Sequence, residues 1–211
     1  MAELHLGLGQ ETRNQTVSQT IFERNMEYLE SLMSRVSVGK LIIAGDLKDS
    51  VEYPTALEVT MIKKFAHSIR EHSITPVLVK GNHDGLVESV ADFECVDSYT
   101  TYENGKQIGI FHGHRVPDEV LVSDIVVSAH VHPSVKIGPK REFVWLFMKR
   151  RRGKPSQAVI IPPFNRFVGG GTISRGRVPI LRRLCKGRSR WTTLLIGVDG
   201  VVYGDLDDSR V

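Results

Sequence analysis

Four polar clusters each follow directly on a short apolar run that reads as a strand, and this recurrence constrains the chain more than any other feature. Gly45-Asp46-Leu47-Lys48-Asp49 follows 41–44, and Gly81-Asn82-His83-Asp84 follows 76–79. Phe111-His112-Gly113-His114 closes 107–111, and Ala129-His130-Val131-His132-Pro133 closes 124–129. In α/β folds ligands collect at the carboxyl ends of strands, so clusters placed there are expected to converge although they are far apart in sequence. Carboxylate, amide oxygen and neutral imidazole suit Mn, Fe or Zn, whereas Cys95 and Cys185 lie in no metal-binding spacing. Each cluster alone has a bland reading as a turn, a core histidine or a helix cap. Together, in this order, they argue for a metal centre.

The intervening sequence supplies the scaffold. Val17, Ile21, Met26, Leu29, Leu32, Met33 and Val36 recur at helical steps, which predicts an amphipathic helix over 16–36. A second helix over 55–72 separates the buried strands 41–44 and 76–79, giving a strand-helix-strand crossover expected to be right-handed. Beyond Gly85 the runs shorten. Strands are expected at 98–102 and 107–111 around an Asn104-Gly105 hairpin turn, then at 124–129, 143–148, 158–161, 192–198 and 201–203, the last two joined at Asp199-Gly200. The stretches 149–155 and 169–190, rich in Gly and Arg, read as exposed loops, and the acidic tail 205–211 as frayed or lying on the surface. At 211 residues and 41% hydrophobic, the chain has room for one domain, 1–211, with appendages.

The formal charge of +4 conceals an asymmetry. Segment 140–190 holds fifteen Lys or Arg against the single acid Glu142, a net +14, so the remainder carries 4 − 14 = −10. A basic third of this kind suggests DNA or RNA as partner, with a solvated surface as the plain alternative. Trp145, Phe147, Phe164 and Trp191 lie among these cations and are candidates for base stacking or for the core. No apolar run reaches the ~18 residues of a spanning helix, so no membrane association is expected, and a cytoplasmic location is. Oligomeric state is not legible.

The ordered clusters resemble the calcineurin-like metallophosphoesterases, whose signature runs DxH, GDxxD, GNH(D/E), H and GHxH. GDLKD and GNHD match in full, HGH supplies the fourth element, and AHVHP matches the fifth with Ala129 in place of Gly. The likeness is nearest in feel to small archaeal phosphoesterases related to SbcD-type repair nucleases, and to metallophosphoesterases associated with bacterial DNA ligases. Both are echoed in His5-Leu6-Gly7 and in Pro162-Pro163-Phe164-Asn165 with Gly169-Gly170. The resemblance implies a four-layer α-β-β-α sandwich of two mixed sheets. It implies Asp46 bridging two divalent ions, Mn foremost, with Fe, Zn or Ni as alternatives. Asn82, His112 and His130 would complete one position; Glu3, His5 and His132 would form the other. A hydroxide bridging the two ions would attack phosphorus. His83 would protonate the leaving oxygen, with Asp49 orienting it and raising its pKa, while Asp84 would be structural.

The first motif departs from the pattern. It reads Glu3-Leu4-His5, and only Met1 and Ala2 precede it, so the first strand is expected to be largely missing. Three functions follow: a phosphodiesterase or nuclease holding nucleic acid on 140–190; a phosphatase or small-nucleotide phosphodiesterase of the same mechanism; and a nucleic-acid-binding protein with an impaired metal site. Ser50 after Asp49, and Asp84 closing the third motif, lower the phosphoprotein-phosphatase reading.

Overall fold

The computed structural model describes residues 1–12, 15–173, 179–185 and 191–205. They form two compact units, Met1–Asp97 with Phe164–Val168, and Ser98–Pro163 with Gly169–Val211.

The first unit contains α1 (Gln15–Met33), β1 (Lys40–Ile43), α2 (Ala56–Glu71), β2 (Thr75–Val79) and β3 (Glu94–Val96). Its three strands form a parallel sheet in the order β1-β2-β3. Helix α2 starts at a capping box: the Thr55 side chain accepts from the Glu58 amide, and the Glu58 carboxylate accepts from the Thr55 amide. Met61, Ile62, Phe65, Ala66 and Ile69 give it one continuous buried face. Truncating a fully buried aromatic such as Phe65 to alanine costs ~3–5 kcal/mol. In α1 the buried stripe is Ser18, Phe22, Asn25 and Leu29, while Val17 is exposed. The helix stops at Met33, short of the expected Val36, which lies exposed beyond it.

Residues 1–6 form no named strand, yet they run along β1 and the turn after it. Ala44 N–H donates to Met1 O, Glu3 N–H to Gly45 O, His5 N–H to Asp46 O and Leu6 N–H to Leu47 O, at 2.7–3.1 Å. Leu6 pairs with Lys48 as a parallel bridge. Ala2, Leu4 and Leu6 are buried, with Leu4 and Leu6 in the same core as Ile43, Leu47 and Phe65.

The second unit contains β4 (Tyr99–Glu103), β5 (Lys106–Ile110), α3 (Asp118–Leu121), β6 (Ile125–Ser128), β7 (Pro133–Ile137), β8 (Lys140–Arg150), β9 (Gln157–Ile160), β10 (Gly171–Thr172), α4 (Pro179–Cys185), β11 (Trp191–Gly197) and β12 (Val202–Asp205). Its mixed sheet runs β10-β7-β8-β9-β6-β5-β4, with β11 added to β8 and β12 to β11. Strand β8 organises it, pairing antiparallel with β7 through 140–143 and, on its two edges, with β9 through 146–149 and β11 through 144–150. Val144, Leu146 and Met148 alternate along β8 on the buried face, in one cluster with Val126, Ala158, Ile180, Leu184 and Trp191. The hairpin turn falls where expected: Asn104 and Gly105 adopt φ of 49° and 74°, the left-handed pair that a two-residue loop requires.

The expected α/β class with two sheets is therefore present, the smaller sheet parallel throughout and the larger mixed. Expectation and structure differ in three places. Strands β3, β7 and β10 are additional; each is short or ends among charged residues, so it carries no periodicity of its own. Lys149 and Arg150 end β8 rather than opening a loop, because Arg150 packs its guanidinium over the Trp191 ring at 4.8 Å and bonds the Pro155 carbonyl. Stretch 169–190 is not all loop: Pro179–Cys185 is helical, anchored by fully buried Ile180 and Leu184. Residues 174–178, 186–190 and 206–211, with five of the cations in 140–190 and most of the acidic tail, lie outside the described residues.

Candidate metal centre

In the first unit the candidate ligands surround one imidazole. His5 Nε2 lies 3.1 Å from Glu3 Oε2 and 3.8 Å from Asp46 Oδ2, and His5 Nδ1 lies 3.1 Å from Asp49 Oδ1. Glu3 is wholly buried, and His5 and Asp46 almost so. Burial alone would lower the pKa of His5. Hydrogen bonds to Asp49 and Glu3, with the charges of Glu3 and Asp46, outweigh it and push the ring up to about 10. Three carboxylates converging on a buried imidazole demand a cation, and in the metal-free protein a proton on His5 fills that role.

The backbone that aims these groups is held by side chains from other motifs. The Asp84 carboxylate accepts from the amides of Asp46 (2.8 Å), Leu47 (2.9 Å), Lys48 (3.4 Å) and Gly81 (2.7 Å), fastening the second motif to the third. Asp46 Oδ1 in turn accepts from the His83 amide at 2.9 Å. Gly81 has to be glycine, because a Cβ there would overlap the Asp46 carboxylate and backbone nitrogen. Asn82 sits exposed on the same turn. His83 Nδ1 donates to the Asp49 backbone carbonyl, which makes Nε2 the nitrogen left for chemistry, and the His5 and His83 ring centroids stand 4.9 Å apart.

In the second unit the ligands are imidazoles. His112, at the end of β5, is 1% exposed, and its Nε2 meets His130 Nδ1 at 3.1 Å. Two ring nitrogens at that spacing can share one proton or face one cation. The His112 carbonyl is pinned by the Ala129 amide at 2.7 Å and the Ser128 hydroxyl at 3.0 Å. His132 Nδ1 donates to the Gly169 carbonyl, which makes Nε2 the nitrogen that could hold a metal. The His114 ring centroid lies 5.2 Å from that of His112, the two rings tilted at 48°.

Comparison with solved structures bears on this arrangement. A nuclease MPE from Pseudomonas putida aligns over 98% of this chain and 86% of its own, at 21% identity and a TM-score of 0.62. The fold is that of the calcineurin-like metallophosphoesterases. Yfce, a phosphoesterase from E. coli, aligns over 97% of this chain and 95% of its own, at 17% identity and a TM-score of 0.46. No family model and no curated protein matches the chain.

On this metallophosphoesterase fold one expected contact is changed. The Asp49 carboxylate is turned to His5 rather than to His83, which Asp49 holds through its main chain. The reason is local: Glu58 accepts from the amides of Asp49 and Ser50, at 3.1 and 2.7 Å, and so fixes the loop with the Asp49 carbonyl toward His83. Glu58 itself was legible as the fourth residue of a Thr-x-x-Glu capping box, although no site role follows from that motif. Asn165 stands in the Pro162-Pro163-Phe164-Asn165 segment of the resemblance, which gave it no role. Wholly buried, it donates its side-chain amide to Leu4 O at 2.8 Å and its backbone N–H to Glu3 O at 3.2 Å, bracing the stretch that carries Glu3 and His5.

Proposed function

We propose that the protein is a metal-dependent phosphoesterase acting on phosphodiesters, with Asp46 shared by two divalent cations. Asn82, His112 and His130 would complete one position, and Glu3, His5 and His132 the other. One observation carries this reading. Among the described residues, eight that are not glycine have left-handed backbone, and five of them are Glu3, His5, Asp46, His130 and His132. Such a conformation costs ~1–3 kcal/mol per residue and concentrates where the aim of a side chain matters. Of the other three, Asn104 makes the hairpin turn and Ser73 follows the end of α2, where left-handed residues terminate helices.

The donors fit divalent cations of the Mn, Fe or Zn type: carboxylates and one imidazole in the first unit, imidazoles in the second. Bound there, the ions supply Lewis-acid polarisation of the phosphoryl oxygens and lower the pKa of water. The chain's own groups do the rest. Asp84 and Glu58 hold the ligand loops rigid, and His83, anchored through Nδ1, presents a proton from Nε2 to the leaving oxygen. In the balanced reaction a water oxygen bonds to phosphorus, the bond to the leaving oxygen breaks, and that oxygen takes the His83 proton. The water's proton passes to solvent, from which His83 is recharged.

The basic segment 140–190 supports a DNA or RNA strand as the partner on the retained side, through phosphate contacts. The protein with Mn is expected to cleave bis-p-nitrophenyl phosphate faster than p-nitrophenyl phosphate. Asp46→Ala is expected to reduce kcat/KM by about a thousandfold or more. A protein that binds Mn yet turns over neither ester sinks the proposal.

A further inference from the structure

Beside His83 the first unit has an open cavity of about 720 Å³ that the ligand set does not use. Its volume lies in the ~300–1,000 Å³ range of small-molecule sites. Val51, Ala56 and Leu57 give it apolar surface; Ser50 and Thr55 contribute hydroxyls; Glu11 and Asp49 contribute carboxylates. Among the described residues, no lysine or arginine lines it. The nearest motif lysine, Lys48, is fully buried, with its ammonium held by the Ser50 and Glu52 carbonyls, and is not in the lining.

We infer that this cavity receives the leaving group, and that the leaving group is a neutral hydroxyl compound of nucleoside size, carrying no second phosphate. The inference rests on the phosphodiesterase reading above, in which His83 protonates the leaving oxygen. A group released at His83 enters the space His83 lines. That space offers apolar walls for a ring and carboxylates that accept from hydroxyl groups, the chemistry by which acidic side chains hold a ribose. A further phosphate would meet the Glu11 carboxylate, and like charges at close range repel. An uncharged end of the substrate therefore suits this cavity.

The test uses the Mn-loaded full chain and three dinucleotides: one with free hydroxyls at both ends, one with an added 5′-phosphate and one with an added 3′-phosphate. One added phosphate, on the nucleoside whose hydroxyl is set free, is expected to lower kcat/KM by about tenfold or more, and the other to have little effect. Product analysis identifies the released end, which has to be the penalised one. Glu11→Lys, an exposed change on a short 3-10 turn, is expected to cut that penalty to about threefold or less, with Glu11→Gln between the two. Equal rates for all three dinucleotides, a penalty at the retained end, or a penalty unmoved by Glu11→Lys would each overturn the inference. So would turnover of bis-p-nitrophenyl phosphate without turnover of any dinucleotide. Failure on bis-p-nitrophenyl phosphate as well rejects the phosphodiesterase reading and the inference with it.

Discussion

The two units hold their candidate ligands by opposite means. In the first, Glu3, His5, Asp46 and Asp49 form a dense carboxylate cluster whose backbone is tied down by other buried polar side chains, Asp84, Glu58 and Asn165. In the second, His112 and His130 each lie two residues beyond one of two adjacent parallel strands, β5 and β6, and one hydroxyl, that of Ser128, with the Ala129 amide pins the His112 carbonyl. A cluster of like charges has to be over-determined to persist without a cation, because each carboxylate repels the next; a pair of neutral rings does not. The difference accounts for where the chain places its buried polar residues.

The largest effect that would break this comparison is at Asp84. Asp84→Ala leaves four backbone amides without their acceptor and is expected to destabilise the fold by ~3–5 kcal/mol in denaturant unfolding. The corresponding change in the second unit, Ser128→Ala, removes one hydrogen bond and is expected to cost ~1 kcal/mol. Equal losses would show that the two sites are braced alike.

The titration of His5 separates the units in another way. Its pKa in the folded, metal-free chain is raised from 6.5 to about 10, so the stability it contributes is fully present below about pH 6.5 and is lost as pH rises through about 10. Unfolding of metal-free protein followed across that window should show a decline with rising pH that His5→Gln abolishes. A profile unchanged by His5→Gln would remove the carboxylate cage from the account.

Asn165→Ala sharpens the comparison further. It is expected to cost ~2 kcal/mol through the Leu4 carbonyl it leaves unsatisfied, and to weaken the metal position served by Glu3 and His5 more than the one served by His112 and His130.

Much of this organisation was readable from the sequence, for physical reasons. Strands with buried faces announce themselves as apolar runs, so β1, β2, β5, β6 and β8 fell near their places, and the motifs at their ends followed. Asn104-Gly105 fixed a hairpin because few other pairs tolerate two left-handed residues in succession. What escaped was held by long-range pairing. Strands β3, β7 and β10 depend on neighbours for their ladders, and α4 is only seven residues long, set by two buried side chains among arginines. Asn165 is remote from the stretch it braces, and the turning of Asp49 toward His5 depends on Glu58, which reads in sequence only as a cap. Residues 1–6, in which little of a first strand was expected, hydrogen-bond along the end of β1 and the turn after it, and they carry Glu3 and His5.

Metal stoichiometry tests the central claim most directly. Metal-free protein titrated with Mn in a calorimeter, with the bound metal counted by elemental analysis, is expected to take up two ions per chain. His112→Ala and His5→Ala are each expected to retain one, and Asp46→Ala to lose tight binding at both positions. A wild-type chain that binds one ion or none, or binding that survives Asp46→Ala intact, would contradict a shared two-cation centre.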